Sequence, residues 1–106
     1  MAIVRHIILW QLKDELSPEE KSAAKTAIKQ GLEGLAGKIP GMLDIRVHTD
    51  GLASSNADLM LESSFESEAA LQGYAVHPAH VAVATGTVRP RVKTRLCLDF
   101  PAEAQR

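Results

Sequence analysis

The sequence predicts an α+β domain in which a four-stranded antiparallel sheet carries helices on one face. Segments rich in β-branched residues alternate with helical segments in the order strand, helix, strand, strand, helices, strand. Each half of the chain therefore supplies a β-α-β unit, and two such units form the ferredoxin-like arrangement. With 106 residues and no internal linker, we expect one domain over residues 1–100 and a polar C-terminal tail over residues 101–106.

The first strand is predicted over residues 2–12, which are rich in β-branched and aromatic residues. Alternate side chains of a strand point to opposite faces, so Ile7 and Leu9 share one face while His6 and Trp10 share the other. Both faces are largely apolar, which is typical of a strand that is covered on both sides.

A helix start follows the first strand. Ser17 is a good N-cap, Pro18 suits the first helical position, and Glu20 completes a capping box. The helix is predicted to run to Ala36 and to end at Gly37. Its thin inner stripe, which allows a close approach to the sheet, consists of Ala24, Ala27, Ile28, Gly31, Leu32 and Leu35.

Three further strands are predicted over residues 42–49, 58–65 and 92–100 because apolar residues alternate there. A run of small polar residues at 50–56 connects the first two of these strands as a hairpin or a slightly longer loop. The last strand has two distinct faces, one with Val92, Thr94, Leu96, Leu98 and Phe100 and the other with Lys93, Arg95, Cys97 and Asp99.

Two short helices with a kink between them are predicted after the third strand. Ser67 is a good N-cap for the first helix, and Tyr74 lies on its inward stripe. Pro78 cannot continue that helix and pushes His77 toward extended geometry, but it can begin a second helix. The kink would fix Tyr74, His77 and His80 relative to one another better than a flexible loop.

The amino-acid composition limits which binding partners and which cellular location are expected for the protein. Twelve basic and thirteen acidic residues give a net charge of −1 without a basic block, so nucleic acid is not expected as a partner. No segment has the length of a membrane span or the pattern of a signal peptide, so no membrane partner and a cytoplasmic location are expected. The single cysteine, Cys97, excludes an internal disulfide framework, and we expect an inert strand residue.

The sheet face away from the helices is expected to be apolar, because Ile3, Ile7 and Leu9 lie on it. An apolar patch on a small protein predicts a surface for a partner. Two such sheets facing each other would close into a barrel, so the expected partner is a second copy of the chain in a homodimer.

Three segments together resemble the stress-responsive A/B barrel (Dabb) family: Val4-Arg5-His6-Ile7-Ile8-Leu9, Lys38-Ile39-Pro40-Gly41, and the stretch from Phe65-Glu66-Ser67 to His77-Pro78-Ala79-His80. The resemblance covers residues 3–100. It implies a dimeric α+β barrel of ferredoxin-like protomers with a small cavity between sheet and helices. Most members of the family have no assigned reaction; a plant polyketide cyclase among the relatives performs an intramolecular aldol condensation.

The resemblance also implies a site. The catalytic histidine–tyrosine set of the cyclase corresponds here to His6, Tyr74 and His80. The residues expected to contact a ligand in the implied cavity are Ile8, Trp10, Ile28, Leu71, His77 and Val81. A structural interpretation stays open for each polar residue: His6 and Tyr74 could bond to each other, His77 could cap the second helix, and His80 could serve helix packing.

Two hypotheses for function follow. The first is a barrel protein of unassigned activity that binds a small apolar or carbonyl ligand. The second is a cofactor-free cyclase or isomerase in which His80 is the general base while Tyr74 and His6 orient it or stabilise an enolate oxygen. No nucleotide or hydrolase motif occurs, and no carboxylate accompanies the histidines of the kinked segment at a useful spacing, so neither a cofactor nor a metal is expected.

Overall fold

A computed structural model describes residues 2–102. In chain order its elements are β1 (Ile3–Leu12), α1 (Pro18–Glu33), β2 (Met42–His48), β3 (Leu59–Phe65), α2 (Glu68–Val76), α3 (Pro78–Val83), a π-helical turn (Ala84–Val88) and β4 (Val92–Ala102). The four strands form one sheet in the order β2-β3-β1-β4, and every neighbouring pair is antiparallel. The predicted ferredoxin-like α+β fold is therefore confirmed.

The hydrophobic core lies between one face of this sheet and the helices. Helix α1 contributes Ala24, Ile28 and Leu32, all of which are almost completely buried. The sheet contributes the alternate residues of its central strands, such as Ile8 and Leu61, which are directly opposite each other. This burial of apolar area is the main stabilising contribution to the fold.

Helix α1 ends earlier than its apolar pattern predicts. The regular helix stops at Glu33 rather than Ala36, and Gly34 is its C-cap. Tighter i→i+3 bonds follow, from the Leu35 N–H to the Leu32 carbonyl at 3.0 Å and from the Ala36 N–H to the Glu33 carbonyl at 3.1 Å. Such turns satisfy the last carbonyls of a helix and keep Leu35 buried, which is why its pattern continues beyond the helix.

The kink between the two short helices is as predicted. The Ala70 N–H donates to the Ser67 hydroxyl at 3.1 Å, which caps α2. His77 is extended, with ψ of 132°, and separates α2 from α3, whose first residue is Pro78. After α3 the chain continues in the π-helical turn, which closes with a 2.9 Å bond from the Arg89 N–H to the Ala84 carbonyl and was not predicted.

Strand β4 is two residues longer than predicted. Instead of ending at Phe100 it continues through Pro101 and Ala102, which pair with Val4 and Ile3 of β1. Proline has no N–H for a ladder, and it is tolerated here because β4 is an edge strand. The rest of the predicted tail, residues 103–106, lies outside the described residues.

The sheet face away from the helices is more apolar than the first strand alone predicts. The register pairs Ile7 with Leu98, Leu9 with Leu96, and Arg5 with Phe100, so β4 adds its apolar residues to the same face. We call this surface the open face; its large exposed apolar residues are Ile3, Leu9, Leu96, Leu98 and Phe100. No helix in residues 2–102 is long and apolar enough to cross a membrane.

Candidate functional site

A cavity of about 1100 Å³ lies on the helix side of β1 and β4, beneath α2 and the π-helical turn. It exists because the helices bury the helix-facing residues of β1 and β3, whereas the residues of β4 remain exposed on both faces. The helix-facing side chains of β4 therefore form a wall of the cavity, and Arg95, Cys97 and Asp99 all lie on it.

His6 projects from β1 into this cavity and is 6% exposed. Its partner across the strand pair is Asp99, and side chains directly opposite each other on one face of a sheet are close enough to interact. The His6 Nδ1 is hydrogen-bonded to the Asp99 carboxylate. Because a carboxylate only accepts, Nδ1 carries the proton, and Nε2 is the ring nitrogen that remains for another partner.

Tyr74 projects from α2 between the two histidines and is 2% exposed. Its ring centroid lies 4.1 Å from that of His80 and 5.9 Å from that of His6. The Tyr74 hydroxyl is buried and has no hydrogen-bond partner within residues 2–102. Burial raises the pKa of Tyr74 and outweighs the opposing effect of the Arg95 charge, so the phenol is a protonated hydrogen-bond donor at neutral pH.

His80 projects from α3 onto the Tyr74 ring and is half-buried. Its Nδ1 donates to the Ala75 carbonyl at 3.3 Å, so Nε2 is unprotonated in the neutral ring. Burial lowers the pKa of His80; the Ala75 bond acts the other way, and the charges of His6, Arg95 and Arg89 lower it further. The side chain is therefore neutral at pH 7 and able to accept a proton.

The structure brings His6, Tyr74 and His80 together at one cavity, but it divides the residues expected to contact a ligand. Ile8, Trp10 and Leu71 line the cavity. Three expected residues do not line it: Ile28 is completely buried in the core, the His77 Nδ1 accepts from the Ala79 N–H at 3.1 Å, and Val81 is exposed. Which side chains line the cavity depends on tertiary packing, and the local sequence pattern does not determine it.

Sequence reasoning missed several polar residues of the cavity wall, among them Arg89, Arg95, Cys97 and Asp99. The alternation of the last strand had placed three of them on one face, but only the register against β1 brings that face next to His6. Cys97, expected to be inert, has its Sγ 3.5 Å from Asp99 Oδ1 and 4.0 Å from His6 Nδ1. Burial and the Asp99 charge raise the pKa of Cys97, so the thiol is protonated.

His6, Cys97 and Asp99 are also the described residues that could hold a metal ion. One ligand atom from each lies within 4.8 Å of the others. A nitrogen, sulfur and oxygen donor set suits zinc. The prediction from sequence considered only carboxylates close to His77 and His80 in the chain. It did not include this cluster, because Asp99 lies on β4. The expectation of no metal stays a prediction.

Comparison with known proteins places this geometry in a family. The family model described as Stress Responsive A/B Barrel Domain (Dabb) matches residues 4–102. No curated protein matches the sequence.

Solved structures extend the comparison. A dimeric protein of unknown function and ferredoxin-like fold from Bacteroides fragilis is 29% identical with a TM-score of 0.88, over 96% of this chain and 98% of that one. A dimeric ferredoxin-like protein of unknown function from Thermobifida fusca is 25% identical with a TM-score of 0.76, over 95% and 92%. The hydroxynitrile lyase from Passiflora edulis, at 20% identity and a TM-score of 0.73 over 99% and 97%, shares the fold.

Proposed function

Since the chain belongs to the stress-responsive A/B barrel (Dabb) family, we propose that it is a homodimeric protein whose cavity binds a small molecule through a carbonyl oxygen. One observation carries this proposal: the buried Tyr74 hydroxyl has no partner within the described residues, and Tyr74 lines the cavity. Leaving a buried hydroxyl unpaired costs about 1–3 kcal/mol. A ligand oxygen that accepts from this hydroxyl would recover that loss.

The surroundings of Tyr74 suit a ligand that is apolar around one polar group. Ile8, Trp10 and Leu71 give the cavity apolar walls, while the His6 and His80 rings flank the Tyr74 ring. A few convergent polar groups in a largely apolar concavity are typical of small-molecule sites. The phenol stays protonated because burial raises its pKa, so it favours an acceptor such as a ketone or aldehyde oxygen.

The homodimer is proposed from the open face. Five large apolar side chains are exposed there, and two similar structures are described as dimeric. Monomeric proteins rarely leave a contiguous apolar surface of this kind uncovered. Association through this face would leave the cavity on the opposite side of each sheet free for ligand.

Tyr74→Phe tests the ligand proposal, because it removes only the hydroxyl oxygen. Isothermal titration with a series of 2-alkanones from butanone to 2-dodecanone should show binding to the wild type that weakens about tenfold in the variant, which corresponds to one lost hydrogen bond. The melting temperature should not fall, since no protein hydrogen bond within residues 2–102 is lost. A variant that melts lower and binds every ketone like the wild type would instead show that the hydroxyl has a structural role.

A second candidate function is cofactor-free catalysis on a carbonyl compound, either an intramolecular aldol condensation or an isomerisation. It is favoured by a neutral His80 next to a protonated Tyr74. His80 Nε2 would take a proton from the carbon beside the carbonyl, and the electron pair would move to the carbonyl oxygen, where Tyr74 donates a hydrogen bond to the enolate. The enolate would then attack a second carbonyl, whose oxygen takes a proton from the protonated His80 and, in a condensation, later leaves as water; in an isomerisation His80 would return its proton to another carbon of the enolate. The fold also occurs in a protein named as a lyase.

This second candidate requires exchange of the protons beside a carbonyl with solvent. In D₂O, proton NMR of 2-octanone should show faster loss of these signals with wild type than with buffer, and His80→Ala should return the rate to that of buffer. His48→Ala is the matched control, because His48 lies on β2 outside the cavity and contacts Glu62. Exchange no faster than in buffer, together with normal ketone binding, would exclude the enzyme and retain the binding protein.

A further inference from the structure

One end of the cavity carries two arginine side chains. Arg95 lies on the helix-facing side of β4 opposite Trp10, and Arg89 follows the π-helical turn, whose 2.9 Å bond from the Arg89 N–H to the Ala84 carbonyl fixes its backbone. Both side chains line the cavity. Neither forms a salt bridge with a carboxylate in the part of the chain that the structure describes.

The two carboxylates of the cavity wall do not offset these charges. Asp99 lies four residues after Arg95 on β4, roughly 13 Å away at ~3.3 Å per residue, and its carboxylate accepts from His6. Glu68 begins α2 just after Phe65, which pairs with Val4 at the other end of β1 from Trp10. Trp10 is six positions after Val4 on β1, which is roughly 20 Å at ~3.3 Å per residue. The end near Trp10 is therefore positively charged, and the uncharged Tyr74 and His80 lie between the two ends.

We infer that the ligand of this cavity carries a carboxylate, which Arg95 and Arg89 bind while its carbonyl oxygen reaches Tyr74. This inference rests on the proposed function and names its ligand class, an oxo acid with an apolar chain. A guanidinium fork matches the two oxygens of a carboxylate, and a charge-assisted hydrogen bond is stronger than a neutral one.

The electrostatics of the polar trio agree with this arrangement. The Arg95 charge acts on both Tyr74 and His80, and the Arg89 charge acts on His80, so both guanidinium groups lie close enough to influence the reacting end of a ligand. A carboxylate bound between the arginines would oppose these charges and bring the pKa of His80 back toward its ordinary value. Ligand binding and the protonation of His80 would then be linked.

The test compares acids with uncharged molecules of the same shape. The probes are 5-oxohexanoate, 7-oxooctanoate and 9-oxodecanoate, each with its primary amide, titrated by calorimetry into wild type, Arg95→Met, Arg89→Met and the double variant. Lys93→Met is the matched control, because Lys93 lies on the same strand but is paired with Asp14 and does not line the cavity. Wild type and control should bind the best acid at least about tenfold more tightly than its amide, the effect of one charge-assisted bond.

The arginine variants should lose this preference without losing the amide. The affinity of the acid should fall to that of the amide in the double variant, while the amide binds there as it does to wild type. Equal affinity for acid and amide in wild type would overturn the inference and leave the proposed carbonyl-binding function standing. A preference for acid that survives in the double variant would overturn it as well, and failure of all acids and amides to bind would exclude both proposals.

Discussion

Tyr74 and His80 reach complementary states from opposite effects of the same burial. Removing a group from water disfavours its charged form, which raises the pKa of a phenol and lowers that of an imidazole. Tyr74 is thereby kept as a donor and His80 as an acceptor at neutral pH. The pair has the donor and the base that enolate chemistry needs without a further charged group between them. His6 differs, because its bond to Asp99 fixes which nitrogen is protonated.

The lowered pKa of His80 predicts a pH dependence of stability. The unfolded chain titrates this histidine near pH 6.5, and the folded chain does so at lower pH. Below pH 6.5 the unfolded state therefore binds more protons, so the free energy of unfolding decreases as the pH falls through this range. We expect melting temperatures between pH 7.5 and 5.0 to decline for wild type and to decline less for His80→Gln.

The acidic groups titrate at lower pH than the histidine. The contribution of His80 to the pH dependence of stability can therefore be measured separately. Partial burial acts to raise the pKa of Glu33, but hydrogen bonds from the Val47 N–H and from Lys29 outweigh it and lower this pKa. The hydrogen bond to His48 lowers the pKa of Glu62. The stability that these groups contribute is present above their unfolded pKa values and is lost as the pH falls below about 4.5. If His80→Gln and wild type lose stability in parallel from pH 7.5 to 5.0, the histidine is not held neutral by the fold.

Register determines what could be predicted at the scale of single residues. His6, Tyr74 and His80 were placed on inward faces from local periodicity together with family resemblance. The alternation of the last strand predicts that Asp99 and Arg95 share one face. Their position at the cavity, however, depends on the pairing of β4 with β1, which lies about ninety residues earlier in the chain. No single-sequence pattern fixes that register, so their roles were not predictable.

At the scale of elements, the start of β2 and helix α2 approach each other at Gly41. Its φ is +80°, and a Cβ placed there would lie 2.6 Å from the Ala70 Cβ. Gly37 has the same φ of +80°, but a Cβ there would meet nothing within 4 Å. The two glycines therefore separate the cost of left-handed backbone geometry from the cost of contact between elements.

Substitution of each glycine by alanine should show this difference in denaturant unfolding. Gly37→Ala should lower the free energy of unfolding by about 1–2 kcal/mol, the cost of a left-handed conformation for a residue with a Cβ. Gly41→Ala should lose that amount and a further amount of about 1–3 kcal/mol, because Ala70 and its helix must move. Equal losses in the two variants would show that α2 shifts away from β2 freely.

The sequence predicted best the helices whose first residues carry a capping residue or a proline. Ser67 and Pro78 define the starts of α2 and α3 through their own backbone chemistry, so these boundaries were readable. The end of α1 and the π-helical turn could not be predicted from the sequence. Both are adjustments of helical chain that bury Leu35 and Val88, and they depend on which neighbours pack against the helix rather than on the residues at its end.

At the scale of the whole molecule, the cavity and the open face lie on opposite sides of one sheet. His6 and Asp99 point to the helix side, whereas their neighbours in the strands, Ile7 and Leu98, point away from it. Because side chains alternate along β1 and β4, one residue lies on the cavity side of the sheet and the next on the open face. A substitution on the open face should therefore change assembly and leave the polar trio in place.

The open face gives the last prediction, which concerns the homodimer. Sedimentation equilibrium at micromolar concentration should give about twice the chain mass of 11.4 kDa, with an interface above about 1,500 Å². Leu98→Lys should yield monomers, because Leu98 is 64% exposed at a position directly opposite Ile7 and a lysine there would be buried without a partner in the dimer. Leu52→Lys should remain dimeric, since Leu52 is 80% exposed in the connection between β2 and β3.

The two lysine variants carry the same added charge and lose the same side chain, so only position distinguishes them. Because the open face supplies the apolar area for association, the monomeric Leu98 variant should melt at a lower temperature that does not depend on protein concentration. The melting temperatures of the dimeric wild type and Leu52→Lys should instead rise with protein concentration. A wild type that sediments as a monomer would contradict the barrel, and a Leu98→Lys protein that stays dimeric would move the interface to another surface. In the second case the exposed apolar residues of β4 would require a different partner.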